Sequence, residues 1–284
     1  MKKSIKLLFV IAIAIILAIL WFNRNDDPVI YKSPVNEEKQ VENVKSLKID
    51  VADVHKGELL LVNKEHGIKE SIKTDIKNLF DNQDLMGDYG LLSTDIELSK
   101  EITNYFNEMI AGAKKDGVDD FLISSGFRSF EEQTKLYKEK GEDYALPGGF
   151  SEHQLGLALD VGSAEGSMAE SEEGKWIAEN AWRYGFVLRY PQDKTDITGI
   201  QYEPWHIRYV GKPHSVIMQD KNFVLEEYLD YLRKKEQIIG VVDGKEYDIR
   251  YYKVDKTRTV KIPKDYNYTI SGDNIGGVII TLYK

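Results

Sequence analysis

The spacing of apolar positions changes several times along the chain, and each spacing predicts a different element. Residues Leu7–Phe22 (LLFVIAIAIILAILWF) are apolar without interruption and follow Lys2, Lys3 and Lys6. A helix of this length spans about 24 to 27 Å, which crosses a hydrocarbon core of roughly 30 Å if the flanking lysines snorkel. Trp21, Phe22 and Asn23 stand where a signal peptide would carry small residues for cleavage, so the run reads as an uncleaved anchor. The lysines keep its start cytoplasmic and send the rest of the chain across the cell membrane as a single-pass, extracytoplasmic protein. Residues 1–22 are thus expected to be a transmembrane anchor. Residues 23–53, charged and without a sustained period, are expected to be a tether.

From about residue 54 the pattern alternates short strands with helices. GELLLVN is a strand candidate. Ser99 to Lys115 places Ile102, Phe106, Met109, Ile110 and Ala113 on one helical stripe that stops near Gly117. FLISS reads as a strand. Ser129 with Glu132 forms a capping box, so a helix runs from there to about Lys140 with Gly141 as terminator. LGLALDVGS alternates with period two, turning Leu157, Leu159 and Val161 to one face and Asp160 to the other. A third helix, from about Glu173 to Tyr184, precedes the strand FVLRY, and HIRYV is a further strand. This mixture predicts an α+β domain over residues 54–235 rather than regular βαβ units. After a short helix candidate (VLEEYLDYLRKK), the Asp243-Gly244 pair between alternating runs signals a type I′ hairpin. A further strand pair around SGDNIGG completes a small β appendage over residues 236–284, which reads as packing or as a wall-binding surface.

Charge and cysteine content narrow the chemistry. The formal net charge is -9, and no dense basic block occurs beyond the extreme N-terminus, which excludes nucleic acid as an expected partner. The absence of cysteine removes disulfides, thiol nucleophiles and thiolate ligands, so any metal must be held by His, Asp and Glu. No serine is followed three positions later by lysine, which removes the serine nucleophile pattern of penicillin-binding enzymes.

Of five histidines, His55, His66 and His214 stand among ordinary turn or surface residues. His153 lies in a loop feeding the strand that carries Asp160, and His206 follows Glu203-Pro204-Trp205, where the proline bends the chain into the next strand. If the two strands are neighbours, His153, Asp160 and His206 converge. Two imidazoles and a carboxylate suit a catalytic zinc, since three protein ligands leave a fourth position for water. Spacing by itself leaves a hydrogen-bonded polar network under a loop equally open.

SGFRS, SEHQLGLALDVGS and EPWHIRYVG, in this order and at these separations, resemble the zinc D-Ala-D-Ala carboxypeptidases of the VanY type, to which the LdcB-type L,D-carboxypeptidases are related. The likeness is close over about residues 55–235, continues through the β tail and is weakest over the anchor and tether. It implies one Zn2+ held by His153, Asp160 and His206, with Glu203 as the catalytic base and then acid. It implies Arg128 as a clamp for the substrate's terminal carboxylate, Ser151 as a hydrogen-bonding neighbour, and Gln133 as a further contact. The fold it implies is the small antiparallel-sheet zinc-peptidase fold of hedgehog and lysostaphin-type domains. The implied activity is penicillin-insensitive removal of the last D-Ala from a peptidoglycan stem peptide or lipid-linked precursor, with a role in glycopeptide resistance. The alternatives are an L,D-carboxypeptidase trimming tetrapeptide stems and a non-catalytic wall-binding module.

Overall fold

The computed structural model describes residues 29–33, 43–70, 74–142 and 145–284. Its first core forms where the helical stripe was expected. Helix Lys100–Lys115 buries Ile102, Phe106, Met109, Ile110 and Ala113. They join Ile123, Leu159, Val161, Phe186 and Ile207 from the adjacent sheet in one hydrophobic cluster. That sheet has the order Gly90–Leu91, Phe121–Ser125, Ala158–Ser163, His206–Tyr209, Phe186–Leu188, with only the first pair parallel. Helix Phe130–Lys140 begins at the expected capping box. The Ser129 hydroxyl accepts from the Glu132 amide at 3.1 Å, and the Glu132 carboxylate accepts from the Ser129 amide at 2.7 Å.

The C-terminal unit is a second five-stranded sheet, ordered Ile30–Lys32, Gln237–Val242, Lys245–Lys253, Gly277–Tyr283, Asn267–Gly272, with every pair antiparallel. Asp243 and Gly244 both have positive φ (50° and 75°), as a type I′ turn requires. One face of the sheet shares a core with helices His214–Lys221 and Leu225–Lys235 and with Leu59, Leu61, Val187 and Val210. The other face is covered by the ribbon Val44–Ile49 and Arg258–Pro263, where Ile49, Val260 and Ile262 meet Val278, Ile280 and Leu282. The β appendage is thus built into the same body as the site-bearing domain.

Three expectations need correction or amendment. Residues 23–53, read as a tether, supply two strands, Ile30–Lys32 and Val44–Ile49, which find their partners about 200 residues later in the chain. Short strands whose partners are so remote carry little local pattern. His214, read as a turn or surface residue, is buried, its Nδ1 at 2.7 Å from the Tyr228 hydroxyl and its Nε2 at 3.0 Å from Thr281 Oγ1. The membrane reading also changes. No helix among the described residues is long and apolar enough to cross a membrane, and the run Leu7–Phe22 lies outside the described residues. The α+β class with small antiparallel sheets stands. The transmembrane anchor, the membrane as a partner and the single-pass, extracytoplasmic localisation are not retained.

Candidate metal centre

The strand Ala158–Ser163 lies antiparallel to His206–Tyr209 with Asp160 directly opposite His206. Alternation buries Leu159 and Val161 in the core and turns the Asp160 carboxylate to the other face of the sheet. His153 arrives from a 3-10 turn, Glu152–Leu155, which ends at Gly156 in the left-handed conformation (φ 66°) and so redirects the chain into the strand. His206 enters from the bend at Pro204, where the His206 amide donates to the Glu203 carbonyl at 3.2 Å.

These elements bring ligand atoms of His153, Asp160 and His206 within 4.8 Å of one another, a group able to hold a metal ion. His153 Nε2 is 3.4 Å from Asp160 Oδ2, and His206 Nδ1 is 2.9 Å from Asp160 Oδ1. The other nitrogen of His153 is committed: Nδ1 is 2.6 Å from the Gly126 carbonyl, so it carries the proton and leaves Nε2 as the donor atom. Gly126 must be glycine at this point, because a Cβ would stand 2.0 Å from the Glu97 carbonyl oxygen. The donor set fits zinc, since imidazole and carboxylate are both its ligands and three protein ligands keep one position open.

The electrostatics follow from burial and close pairing. Burial depresses the His153 pKa, an effect that Asp160 partly offsets. Burial opposes ionisation of Asp160, yet the two imidazoles overcome it and hold the carboxyl well below its usual range. Burial also opposes charging of His206, but its hydrogen bond to Asp160 and the nearby Glu152 carboxylate win and raise it to about 9. Glu203, with its Oε2 at 3.9 Å from His206 Nδ1, is raised above the ordinary carboxylate range by burial, against the pull of His206. A partly buried carboxyl with a raised pKa beside the ligand cluster has the properties of a general base and acid.

Arg128 follows the Phe121–Ser125 strand, with Nη2 at 4.0 Å from Asp160 Oδ2 and a buried Nε that has no hydrogen-bond partner. Ser151 is buried next to Glu152 and caps no backbone amide with its hydroxyl. Gln133 is buried rather than helix-exposed. Its Nε2 donates to the Leu146 carbonyl at 2.6 Å and fastens the segment ahead of Ser151.

Sequence reasoning passed over a buried ionic group behind His206. Glu152 Oε1 is 2.9 Å from Arg189 Nε and 2.8 Å from Arg208 Nη1, and Arg189 in turn makes a bidentate pair with Glu226 at 2.9 and 2.7 Å. Glu152, Arg189 and Arg208 are all essentially inaccessible to solvent. Removing one partner of such a set typically costs about 3 to 5 kcal/mol, because an uncompensated charge stays buried. The signal available in sequence was an arginine inside each of two otherwise apolar strands, FVLRY and HIRYV, which a buried sheet tolerates only with an anion nearby.

Two imidazoles and a carboxylate clustered on a sheet, with a separate glutamate beside them, define a metallopeptidase-type site. Comparison with known proteins specifies it further. The family model described as VanY, D-alanyl-D-alanine carboxypeptidase, matches residues 95–212. A D-alanyl-D-alanine carboxypeptidase of Enterococcus faecium is 54% identical over 243 residues, covering 85% of this chain and 80% of the relative. The chain belongs to the VanY family of D-alanyl-D-alanine carboxypeptidases. It is a metallo-carboxypeptidase rather than a serine enzyme. Among solved structures, the vancomycin-resistance D,D-dipeptidase VanXYg bound to a D-Ala-D-Ala phosphinate analog superposes with a TM-score of 0.73 at 31% identity, covering 85% of this chain and 99% of that one. A D,D-pentapeptidase VanY from a VanB-type resistance cassette, in complex with Zn(II), gives 0.51 at 32% identity over 61% of this chain and 98% of that one.

Proposed function

We propose that this chain is a zinc-dependent D,D-carboxypeptidase that removes the terminal D-Ala from peptidoglycan stem peptides or lipid-linked precursors ending in D-Ala-D-Ala. The observation that carries this reading is the convergence of His153, Asp160 and His206 within 4.8 Å beside the Glu203 carboxylate. His153, Asp160 and His206 would hold the zinc, which would supply a bound water of lowered pKa and a Lewis acid for the scissile carbonyl. The remaining work falls to the chain's own side chains. Glu203 takes the proton of the attacking water and returns it to the departing D-Ala amine, which its raised pKa favours. Arg128 binds the substrate's terminal carboxylate through its planar, permanently charged guanidinium. Ser151 adds a hydrogen bond at the same end. Gln133, which donates one amide N–H to the Leu146 carbonyl, contributes by holding the neighbouring segment, and its Oε1 is left without a hydrogen-bond partner. Removing the last D-Ala destroys the dipeptide terminus that vancomycin binds, which links the activity to glycopeptide resistance.

The test is release of D-Ala from a stem pentapeptide, with and without chelator and with and without penicillin. Zinc-dependent, penicillin-insensitive release of one D-Ala is the expected result. Release that persists after complete metal removal overturns the mechanism, and a strong preference for tetrapeptide replaces it with the L,D-carboxypeptidase reading.

A further inference from the structure

The two histidines of the centre differ in what holds their outward nitrogens. His153 gives Nδ1–H to a neutral carbonyl, that of Gly126. His206 points Nε2 at a carboxylate instead, with Glu152 Oε2 3.5 Å away. Both of these atoms are buried and neither makes a hydrogen bond to any other group, so the two unsatisfied atoms face each other at ion-pair distance. Glu152 is the residue immediately before His153. A 3-10 turn rotates successive side chains by roughly 120°, so His153 faces the centre while Glu152 passes behind the other histidine.

We infer that Glu152 is a positioning residue for the metal centre: its carboxylate keeps the His206 proton on Nε2, which commits Nδ1 to the metal. The division of labour between the two carboxylate oxygens carries the argument. Oε1 takes both Arg189 and Arg208, whereas Oε2 faces His206 and is given to no cation. A glutamate serving only as counterion to two arginines has no need to reserve one oxygen for an imidazole. Arg189 is held bidentate by Glu226 in the first turn of helix Leu225–Lys235, which fixes the guanidinium whose Nε anchors Glu152 Oε1. The same helix packs on the C-terminal sheet, where Leu225 and Leu229 share a core with Ile238, Ile249 and Ile279. The β unit is thereby mechanically continuous with one metal ligand, by the path from helix to Glu226, Arg189, Glu152 and His206. A carboxylate behind a ligating imidazole fixes its tautomer and makes it a stronger donor.

The inference rests on the metal reading above, and its experiment separates the two. Zinc affinity of the full chain is measured by competition with a chromophoric chelator, for wild type and for Glu152→Gln, each checked for folding by circular dichroism. The expected result is a loss of affinity of about 10- to 100-fold in the variant. A wild type that binds no zinc overturns the metal reading and this inference with it. A wild type that binds, with a folded Glu152→Gln that binds as tightly, overturns this inference alone. Should Glu152→Gln fail to fold, the wild-type protein still decides the question. Long-range 1H–15N correlation of the zinc-loaded, 15N-labelled chain reports the tautomer of each imidazole. Nε2 protonated in His206 and Nδ1 protonated in His153 is the expected pattern, and a His206 protonated on Nδ1 overturns the assignment whatever the variants do.

Discussion

The sheet that carries the metal centre and the sheet of the C-terminal unit are both five-stranded, yet they are held together differently. The first packs one face on helix Lys100–Lys115 and tolerates on its strands and flanks the buried Glu152, Arg189, Arg208 and two imidazoles, with the partly buried Asp160 beside them. The second buries mostly apolar side chains on both faces, Ile249 and Ile279 toward the helices and Val278, Ile280 and Leu282 toward the covering ribbon, with a local ion pair, Arg250 to Asp248 at 2.6 Å, on the strand Lys245–Lys253. Charges taken out of water in the first sheet lose hydration that their mutual attraction only partly returns. Burial in the second sheet adds stability at roughly 25 cal/mol per Å2. Both sheets rest on apolar cores, and the difference is that the candidate chemistry is confined to the first.

Substitutions on each side sharpen that contrast. The largest effect is expected from Glu203→Gln, which removes the proposed proton carrier: D-Ala release should fall by about 10²- to 10⁴-fold. Metal content and melting temperature should stay close to wild type, and a variant that loses its metal would show that Glu203 is a structural member of the cluster. The mirror experiment is Ile280→Ala in the centre of the C-terminal sheet, where a cavity between two packed faces should cost about 2 to 5 kcal/mol. Denaturant unfolding measures the loss, and turnover per folded molecule should remain within a few-fold. Unchanged stability would break the comparison.

Two titrations at the joint between the sheets give smaller effects of opposite sign. Burial lowers the pKa of His214 to about 3, so the unfolded chain, with an ordinary value near 6.5, takes up this proton first. Its contribution to stability is complete above pH 6.5 and is lost progressively toward pH 3. His214→Gln, which has no proton to gain, should flatten the acid limb of the melting-temperature profile over that window. Burial raises Glu58 to about 6, from an ordinary value near 4.5, with Glu101 adding to the shift. Here the folded state holds the proton more tightly, so the contribution is present below pH 4.5 and lost as pH rises through 6. Glu58→Gln should therefore stabilise the protein at pH 8 by about 1 to 2 kcal/mol. An equal gain at pH 4 would point to packing instead of ionisation.

How much could be read beforehand differs between the two sheets. The period-two alternation of LGLALDVGS located Asp160 opposite a buried face, and the three motifs brought His153, His206 and Glu203 to attention. The structure then supplied the register that places Asp160 against His206. The capping box at Ser129 and the turn at Asp243-Gly244 were equally legible, because each depends on neighbours within four residues. Partners distant in sequence were not. Val44–Ile49 is a strand only because Arg258–Pro263 lies beside it, and Arg189 is a buried residue only because Glu152 and Glu226 meet it from opposite directions. His214 was misjudged for the same reason, its burial depending on Tyr228 and Thr281.

The placement of Gly277–Tyr283 has a consequence for the life of the chain on the ribosome. This strand follows both of its neighbours in sequence, yet it sits between them, paired with Lys245–Lys253 on one side and Asn267–Gly272 on the other. All the ligand residues emerge more than 70 residues earlier. Until this strand arrives, the nascent protein holds the proposed ligands on one sheet while the other lacks the strand that joins Lys245–Lys253 to Asn267–Gly272, with apolar edges exposed to other chains. A premature stop a few codons before residue 277 would yield a product with every motif and the cluster around helix Lys100–Lys115 present, but without the strand that completes the other two cores. The sheet that backs the site-bearing one thus closes only after every motif has been made.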